Sequence, residues 1–306
     1  MNKWSAVTFS AALFALSAAA PAFASDAVLQ KIAGSGEIVI GYPTEALPFS
    51  YRVAGAGMST SIRTEPVGYS IDLCRKVTVA IRQELQMTAL KIRFHPLSFK
   101  ERLDAVSSNA VDLECGSTTN TPQRQQKVAF SVSTFAATIK AIARKQDGMH
   151  AVKDLNGRTV VIVEGTTVGQ LVDDFEKKQG LSFRKVYAKN LTEGFQMFVD
   201  KKADGLVFDD VVVAPLIADR PEYQFLDGVL AVEHLGLIFP RDNPKLKRII
   251  DDTLTGMMQS GAARENYKKW FQSAIPPKDL NLNLPFSDDM KTLFAHPDDK
   301  GNVAGS

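Results

Sequence analysis

The sequence predicts an α/β protein made of two domains, and three observations support this fold class. The chain has 306 residues, which is enough for two domains of ordinary size with separate hydrophobic cores. Short apolar segments typical of buried strands alternate with amphipathic segments typical of helices, a pattern that indicates parallel βαβ units. A long apolar segment at 135–144 separates a first series of such units from a second one, and we expect it to be a strand that leaves the first domain.

The first series is predicted to contain strands and helices up to about residue 113. Strands are expected at 36–41, 90–96 and 111–113, and helices at 68–85 and from Ser98 onwards. Ser98 and Glu101 have the spacing of a capping box, which is typical of a helix N-terminus. Residues 52–66 are rich in Gly, Ser and Thr and are expected to form a mobile surface loop.

The second series is predicted to follow the same alternation and to end in a helical region. Strands are expected at 159–163, 183–187, 205–208 and 230–240, and helices at about 168–179, 193–201 and 244–272. Residues 275–286 are rich in proline, so a helix is not expected there.

The composition restricts the kind of protein and its partners. Hydrophobic residues make up 45% and charged residues 23% of the chain, which are globular values and argue against a disordered or membrane-embedded protein. The formal net charge is +2 and basic residues form no stripe, so nucleic acid is not an expected partner. Because no Cys or His spacing typical of a metal site occurs, neither a metal nor another cofactor is expected.

The first residues are typical of a signal peptide. Lys3 gives a short positive region, residues 6–20 are mostly small and apolar, and Ala22-Phe-Ala24 has the pattern of a signal peptidase site. We therefore expect residues 1–24 to be removed and the mature protein to be exported to the periplasm.

The chain contains two cysteines, Cys74 and Cys115. An even number in an exported protein favours a disulfide, and closing a loop of about forty residues stabilises a fold by about 4 kcal/mol in the chain-entropy model. Two buried free thiols are the alternative that the sequence leaves open.

The segment 111–124 is the first candidate binding motif. Residues 116–119 are predicted to form a turn whose hydroxyl and N–H groups can face a ligand. Pro122 suits the first turn of a helix, which puts Arg124 directly behind that turn. Since a guanidinium binds a carboxylate through two parallel hydrogen bonds, the segment is a candidate carboxylate receptor. A capped helix start with a surface arginine is the alternative.

Two further motifs lie in the second series. Thr166 and Thr167 occur where a strand is followed by a helix, so their hydroxyl and N–H groups can bind an anion at the positive end of that helix. Asp209 ends a predicted strand, and a buried carboxylate there needs a cationic partner such as an α-ammonium group. Ordinary helix caps are the alternative for all three residues. Together the three motifs predict a receptor for a zwitterion.

Seven short motifs also occur in a fixed order along the chain: Gly68-Tyr-Ser-Ile-Asp72, Glu114-Cys-Gly-Ser-Thr-Thr-Asn120, 124–126, Ala129-Phe-Ser131, Glu164-Gly-Thr-Thr167, Phe208-Asp-Asp210 and 269–277. In these motifs the chain resembles the periplasmic amino-acid-binding proteins of ABC importers, solute-binding protein family 3, and within them the branch that binds glutamate and aspartate. The resemblance implies a two-lobed periplasmic-binding-protein fold of type II. Lobe 1 would comprise 25–137 and 235–306, lobe 2 would comprise 138–234, and two crossover strands would act as the hinge.

The resemblance also implies a role for each matching residue. Arg124 would bind the α-carboxylate of an amino acid, and Asp209 would bind its α-ammonium group. The residues that would assist Arg124 are Ser117, Thr119, Thr167 and Thr166. Phe99 would lie against the ligand side chain, and Arg102 could reach a side-chain carboxylate. For Phe99 the alternative is a core position, and for Arg102 it is a solvated helix face.

Three departures from the glutamate/aspartate branch concern the ligand side chain. A basic residue of that branch is matched by Pro43, a small hydroxyl residue by Phe99, and a histidine by Leu191. Because three polar positions have become apolar, we expect an L-amino acid with a side chain less acidic than glutamate, neutral or apolar. Hinge closure around the ligand is the expected mechanism, with ABC permease subunits as partners of a monomeric carrier.

The alternative function is an exported enzyme on the same fold, similar to cyclohexadienyl dehydratase. Glu114 or Asp112 would then be a candidate general acid. The four histidines are scattered through the sequence without metal or catalytic-triad spacing, and a partner for an amino group is present at Asp209. A binding protein is therefore favoured over an enzyme.

Overall fold

The computed structural model describes residues 26–53, 65–276 and 279–301. The expected signal peptide and most of the expected 52–66 loop lie outside these residues. In the described ranges, no helix combines the length and the apolar character needed to cross a membrane.

Helices and strands alternate along most of the described chain. The helices are α1 (Ala27–Ser35), α2 (Tyr69–Glu84), α3 (Arg102–Ser107), α4 (Pro122–Gln125), α5 (Val168–Gln179), α6 (Leu191–Val199), α7 (Asp210–Ile217), α8 (Pro244–Gln259), α9 (Ala262–Phe271) and α10 (Asp288–Ala295). The strands are β1 (Glu37–Pro43), β2 (Glu45–Ala46), β3 (Ser50–Tyr51), β4 (Lys91–Leu97), β5 (Leu113–Thr119), β6 (Ala129–Phe130), β7 (Phe135–Arg144), β8 (Thr159–Val163), β9 (Arg184–Ala188), β10 (Gly205–Asp209), β11 (Tyr223–Phe225) and β12 (Ala231–Phe239).

The main sheet has the strand order β4-β1-β5-β12-β7-β10-β8-β9. The three strands at one end, β4, β1 and β5, are parallel, and so are β10, β8 and β9 at the other end. Between these two groups lie β12 and β7, which pair with each other in antiparallel orientation. The α/β fold class is therefore confirmed, with two parallel βαβ groups joined through an antiparallel pair.

The strands β7 and β12 connect the two groups. Leu235 of β12 pairs with Thr119 of β5 and with Phe135 of β7, so one residue borders both neighbouring strands. The ring of Phe135 packs against Phe49 and Phe271, with ring centres 4.9 Å apart in each case. These buried aromatic contacts fix the start of β7 against α9 and against the connection between β2 and β3.

A disulfide joins Cys74 on α2 to Cys115 on β5, and the two Cα atoms are 6.3 Å apart. Both side chains are fully buried. The bond ties α2 to β5, the strand that carries the first candidate binding motif.

Three local expectations are wrong. Residues 116–119 are not a turn but the second half of β5, because β12 lies alongside and supplies the partner groups of a ladder. The helix α3 begins at Arg102, although Ser98 and Glu101 form the hydrogen bonds of a capping box in the preceding turn. The expected helix 244–272 is two helices, since Gly261 has a positive φ of 83° at the break. The helix α10 was not anticipated.

We expect the double variant Cys74→Ala/Cys115→Ala to be less stable than the parent by about 2–4 kcal/mol, because the unfolded chain regains the entropy of an open loop. Urea unfolding followed by far-UV circular dichroism measures this difference. The parent protein treated with a thiol reductant is the matched control and should show a similar loss. An unchanged unfolding midpoint in both samples would contradict this role of the disulfide.

Candidate functional site

Arg124 is held in place by the short helix α4. Pro122 is the first residue of this helix, and the side chain of Thr121 caps it by accepting a hydrogen bond from the Arg124 N–H at 3.3 Å. The guanidinium is buried: Nη1 donates to the carbonyl of Thr119 at 3.0 Å and Nη2 to the carbonyl of Gly165 at 3.1 Å. Arg124 is therefore not the surface arginine that the alternative interpretation required.

Arg102 lies beside Arg124 and is also buried, with 2% of its surface exposed. Its Nη1 donates to the carbonyl of Ser117 at 3.2 Å, and its Nη2 lies 3.5 Å from the carbonyl oxygen of Gly165. A solvated helix face is thus excluded for this residue. Two guanidinium groups, from α3 and α4, thus converge on one carbonyl oxygen in the turn between β8 and α5.

Gly165 makes this approach possible. Its φ is +77°, and a Cβ atom built on it would lie 2.5 Å from the Cα of Lys100. A side chain at this position would therefore collide with the backbone of Phe99 and Lys100. The turn that carries Gly165 follows β8 and leads into α5, as the sequence predicted for residues 164–167.

The two threonines of this turn have different surroundings. The hydroxyl of Thr166 donates to the carbonyl of Val163 at 2.7 Å, so it is engaged within its own turn. The hydroxyl of Thr167 donates to Glu233 Oε2 at 2.9 Å, and the hydroxyl of Thr119 donates to the same oxygen at 2.8 Å. One carboxylate oxygen on β12 thus links the end of β5 to the start of α5.

Asp209 is the last residue of β10, and its side chain does not cap the helix α7 that follows. The side chain is buried, and its Oδ1 has no hydrogen-bond partner in the described part of the chain. Burial and then the carboxylate of Glu233 raise the pKa of Asp209 to about 8. Burial makes ionisation of the Asp209 carboxyl group unfavourable. A cation next to it would favour the ionised form and would be attracted by it.

Five buried ionisable groups share the cleft: Arg102, Arg124, Glu114, Asp209 and Glu233. Burial and then the positive charge of Arg102 lower the pKa of Arg124 to about 9, so its guanidinium is still charged at neutral pH. Burial raises the pKa of Glu114 and of Glu233, whereas the two arginines oppose this effect. The arrangement presents a positive side, formed by the arginines, and a negative side, formed by Asp209 and Glu233.

One end of the cleft lies around Phe99. Its ring is buried and packs against Phe208, the neighbour of Asp209, with ring centres 5.7 Å apart. A cavity of about 210 Å³ next to it has both apolar and polar walls, which are formed by Pro43, Pro96, Leu97 and Phe99 and by Thr44, Glu45, Ser98, Glu101 and Asn190. Leu191 is buried at the start of α6. Two of the three residues that depart from the glutamate/aspartate branch therefore line one cavity.

Contacts across the cleft hold the two lobes together. Lys100 Nζ lies 2.8 Å from Glu164 Oε2. Glu45 Oε2 accepts hydrogen bonds from the backbone N–H of Leu191 at 3.0 Å and of Thr192 at 3.3 Å. A carboxylate at a helix N-terminus satisfies free N–H groups and complements the helix dipole. The lobes are in contact on both sides of the cleft.

Sequence reasoning missed Glu233 and Glu45 as parts of this region. Glu233 is charged within the otherwise apolar stretch Leu230-Ala-Val-Glu-His-Leu235, and a charged residue inside a predicted buried strand was a usable signal. Glu45 lies in a turn-rich loop and gave no comparable signal. Asp112, one of the two candidate general acids of the enzyme alternative, accepts hydrogen bonds from Lys31 Nζ and from the backbone N–H of Val39, so it has a structural role.

Comparisons with known proteins identify the family. Residues 38–273 match the bacterial extracellular solute-binding proteins, family 3. The chain is 34% identical over 298 residues to the L-glutamate/L-aspartate-binding protein of Pseudomonas aeruginosa, covering 95% of this chain and 96% of that protein. It is 32% identical over 298 residues to the glutamate/aspartate import solute-binding protein of Escherichia coli (strain K12), covering 96% and 95%. The chain belongs to family 3 of the bacterial extracellular solute-binding proteins, as its motifs indicated.

Solved structures show the same fold. A mutant of ArgBP from T. maritima superposes with a TM-score of 0.68 at 22% identity, covering 80% of this chain and 99% of that one. An ancestral amino-acid-binding protein described as a precursor of cyclohexadienyl dehydratase gives a TM-score of 0.65 at 26% identity, covering 79% and 98%. The two-lobed fold class is confirmed. The curated relatives in these matches are binding proteins of importers rather than enzymes, so the enzyme alternative is the less supported one.

We expect the stability of the ligand-free protein to fall as pH rises from about 4 to about 8, because folded Asp209 keeps a proton that the unfolded chain has lost. Other buried carboxyls add to this slope, so the comparison with Asp209→Asn isolates Asp209: the variant should lose less free energy of unfolding between pH 5 and pH 8. Urea unfolding at four pH values measures both slopes.

The matched control is Asp174→Asn, which removes an exposed carboxylate and should keep the parent slope. Equal slopes for the parent and Asp209→Asn would show that Asp209 is ionised in the folded protein throughout this range.

Proposed function

We propose that this protein captures an L-amino acid between its two lobes and delivers it to an ABC importer. One observation carries the proposal: the guanidinium of Arg124 and the carboxyl group of Asp209, which a neighbouring cation would ionise, are buried in the same cleft and come from opposite lobes. A zwitterion can neutralise both at once, whereas burying either charge alone is unfavourable. The import function of the curated relatives supports this proposal.

The ligand contacts follow from the direction of each group. Arg124, assisted by the hydroxyls of Ser117, Thr119 and Thr167, binds the α-carboxylate, and Asp209 binds the α-ammonium group. The Thr166 hydroxyl is engaged with Val163, so Thr166 contributes through its backbone. The hydroxyls of Thr119 and Thr167 donate to Glu233 in this structure, so each exchanges this hydrogen bond for one to the ligand carboxylate, because a hydroxyl has a single proton to donate.

Lobe 1 consists of 25–137 and 235–306, and lobe 2 of 138–234. The pairing of β12 with β7 through Ala231 to Leu235 supports hinge positions at these boundaries, since both proposed breaks fall inside this ladder. Closure brings the Gly165 turn and Asp209 onto the ligand held by Arg124, and the ligand stabilises the closed form through contacts that only this form provides.

The ligand side chain is less acidic than glutamate. Pro43 and Phe99 form part of the wall at the distal end of the cleft, and Leu191 is buried at the start of α6. Arg102 is the one cationic side chain among the proposed distal residues. The glutamate and aspartate specificity printed for the relatives is therefore not transferred to this chain.

The carrier is a periplasmic monomer after cleavage near Ala24, and its partners are the permease subunits of an ABC importer. The family, whose description is extracellular, supports the compartment. The small-x-small motif at 22–24 supports the cleavage position.

Replacing Arg124 by Ala should weaken amino-acid binding at least about 100-fold, because a buried charge pair loses one member. Arg124→Lys keeps the charge but not the paired hydrogen bonds, so its affinity should fall between the two. The measurement is isothermal titration calorimetry on refolded, ligand-stripped protein, after a thermal-shift screen of the twenty amino acids.

Arg93→Ala serves as the control, because Arg93 pairs with Glu37 near the amino ends of β1 and β4, away from the cleft. It should bind like the parent. Unchanged affinity in Arg124→Ala, or the absence of any amino-acid ligand, would rule out the proposed site.

Closure itself is tested by Gly165→Ala. The added Cβ would lie 2.5 Å from Lys100 Cα, so we expect incomplete closure: small-angle scattering should show no ligand-induced decrease in radius of gyration, and affinity should drop at least about tenfold. Gly169→Ala is the matched control, because its added Cβ makes an ordinary 3.5 Å contact with Ile162. A normal decrease in Gly165→Ala would show that this close approach is not part of the closed state.

A further inference from the structure

Glu233 is a buried carboxylate to which the proposed ligand contacts give no function. It lies on β12, where it pairs with Ala137 of β7, and 3% of its surface is exposed. Its Oε2 accepts hydrogen bonds from the hydroxyl of Thr119 at 2.8 Å and from the hydroxyl of Thr167 at 2.9 Å. These are two of the three hydroxyls that we assign to the carboxylate of the amino acid.

Glu233 and the amino acid require the same place. Each of the two hydroxyls has a single proton to donate. A ligand oxygen that accepts from both must therefore lie within hydrogen-bond distance of Thr119 Oγ1 and of Thr167 Oγ1, as Glu233 Oε2 does. The carboxylate of Glu233 and the α-carboxylate of an amino acid are thus alternative partners of this pair of hydroxyls.

The surroundings of Glu233 also resemble those proposed for the α-carboxylate. Burial raises the pKa of Glu233, whereas the hydrogen bonds from Thr167 and Thr119 and the charges of Arg124 and Arg102 favour its ionised form. Hydroxyl groups and guanidinium groups are the partners that a ligand α-carboxylate needs in this cleft. Glu233 receives the same kinds of contact from the same side chains.

We propose that Glu233 is an internal competitor of the α-carboxylate: its side chain occupies the hydroxyls of Thr119 and Thr167 until an amino acid displaces it. The inference rests on the proposed function and adds a residue that limits the affinity. Because every amino acid carries an α-carboxylate, this competition weakens the binding of all of them by a similar factor. It does not select among their side chains.

A role of Glu233 as a second partner of the α-ammonium group is less favoured. Both hydrogen bonds of Oε2 come from hydroxyls assigned to the carboxylate end of the amino acid. In addition, burial and then the charge of Glu233 raise the pKa of Asp209 to about 8. Removing the charge of Glu233 should therefore make Asp209 easier to ionise and a better partner for an ammonium group.

The first experiment replaces Glu233 by Gln, which keeps the shape of the side chain and removes its charge. An amide oxygen accepts from a hydroxyl more weakly than a carboxylate does, so the competitor is weakened. The probes are the twenty L-amino acids, titrated by calorimetry at pH 7.5 into refolded, ligand-stripped protein. Each amino acid that binds the parent should bind Glu233→Gln at least about fivefold more tightly, in an unchanged order of affinity.

Glu222→Gln is the matched control, because it removes the same charge at an exposed position. Its neighbour Tyr223 pairs with Arg144 at the end of β7, whereas Asp209 pairs with Ile139 in the middle of that strand. This variant should bind like the parent. An equal gain in Glu222→Gln would assign the effect to the net charge of the protein and overturn the proposal.

The second experiment needs no variant. Crystals of the parent are grown with the amino acid that binds most tightly in the titrations. We expect at least one of the hydroxyls of Thr119 and Thr167 to donate to the carboxylate of this amino acid instead of Glu233. If both hydrogen bonds to Glu233 Oε2 persist in the bound protein, Glu233 is a fixed bridge and the proposal is wrong.

The outcomes separate the competitor from the proposed function. Unchanged or weaker binding in Glu233→Gln would overturn the competitor and leave the amino-acid carrier in place, because a structural bridge or an ammonium partner loses affinity when its charge is removed. Should this variant fail to fold, the crystal structure of the bound parent decides. Binding of none of the twenty amino acids by the parent would overturn the proposed function and the competitor together.

Discussion

The balance of buried charge in the cleft is the constraint on which the rest of the site depends. Two guanidinium groups and three carboxylates are withdrawn from water between the lobes, and burying ions is costly unless each has an opposite charge or hydrogen bonds nearby. The two arginines donate hydrogen bonds to the carbonyl oxygens of Ser117, Thr119 and Gly165, and these bonds offset part of the cost of burial. Asp209 Oδ1 has no hydrogen-bond partner among the described residues, and this is where the proposed ammonium group would bind.

The same constraint couples ligand recognition to lobe contact. The carbonyl of Gly165, in the turn between β8 and α5, accepts from Arg124 on α4, and Glu233 on β12 accepts from Thr119 on β5 and from Thr167 at the start of α5. Residues proposed to bind the ligand therefore also join the two halves of the fold in this structure. Glu45 and Lys100 add further contacts across the cleft that involve none of the residues proposed to bind the ligand.

The candidate site could be predicted only in part from the sequence. Arg124, Thr167 and Asp209 stand in short motifs at strand ends and helix starts, where local rules place ligand-binding groups. Glu233 lies more than one hundred residues from Thr119, and no local pattern links them. For Arg102 a solvated helix face stayed open as the alternative, because helical periodicity reports which face of a helix is polar, not that the carbonyls of Ser117 and Gly165 lie against that face.

By itself the sequence determined the class of the protein: alternating apolar strands and amphipathic helices, and seven ordered motifs, are properties of local residue order, and they were sufficient for the fold class and the family. The tertiary structure decided where residues 116–119 become strand, because the partner β12 comes from a distant part of the chain. It also decided which charges are buried together. Burial and pairing depend on contacts between segments far apart in sequence, and those contacts form only when the two lobes are assembled.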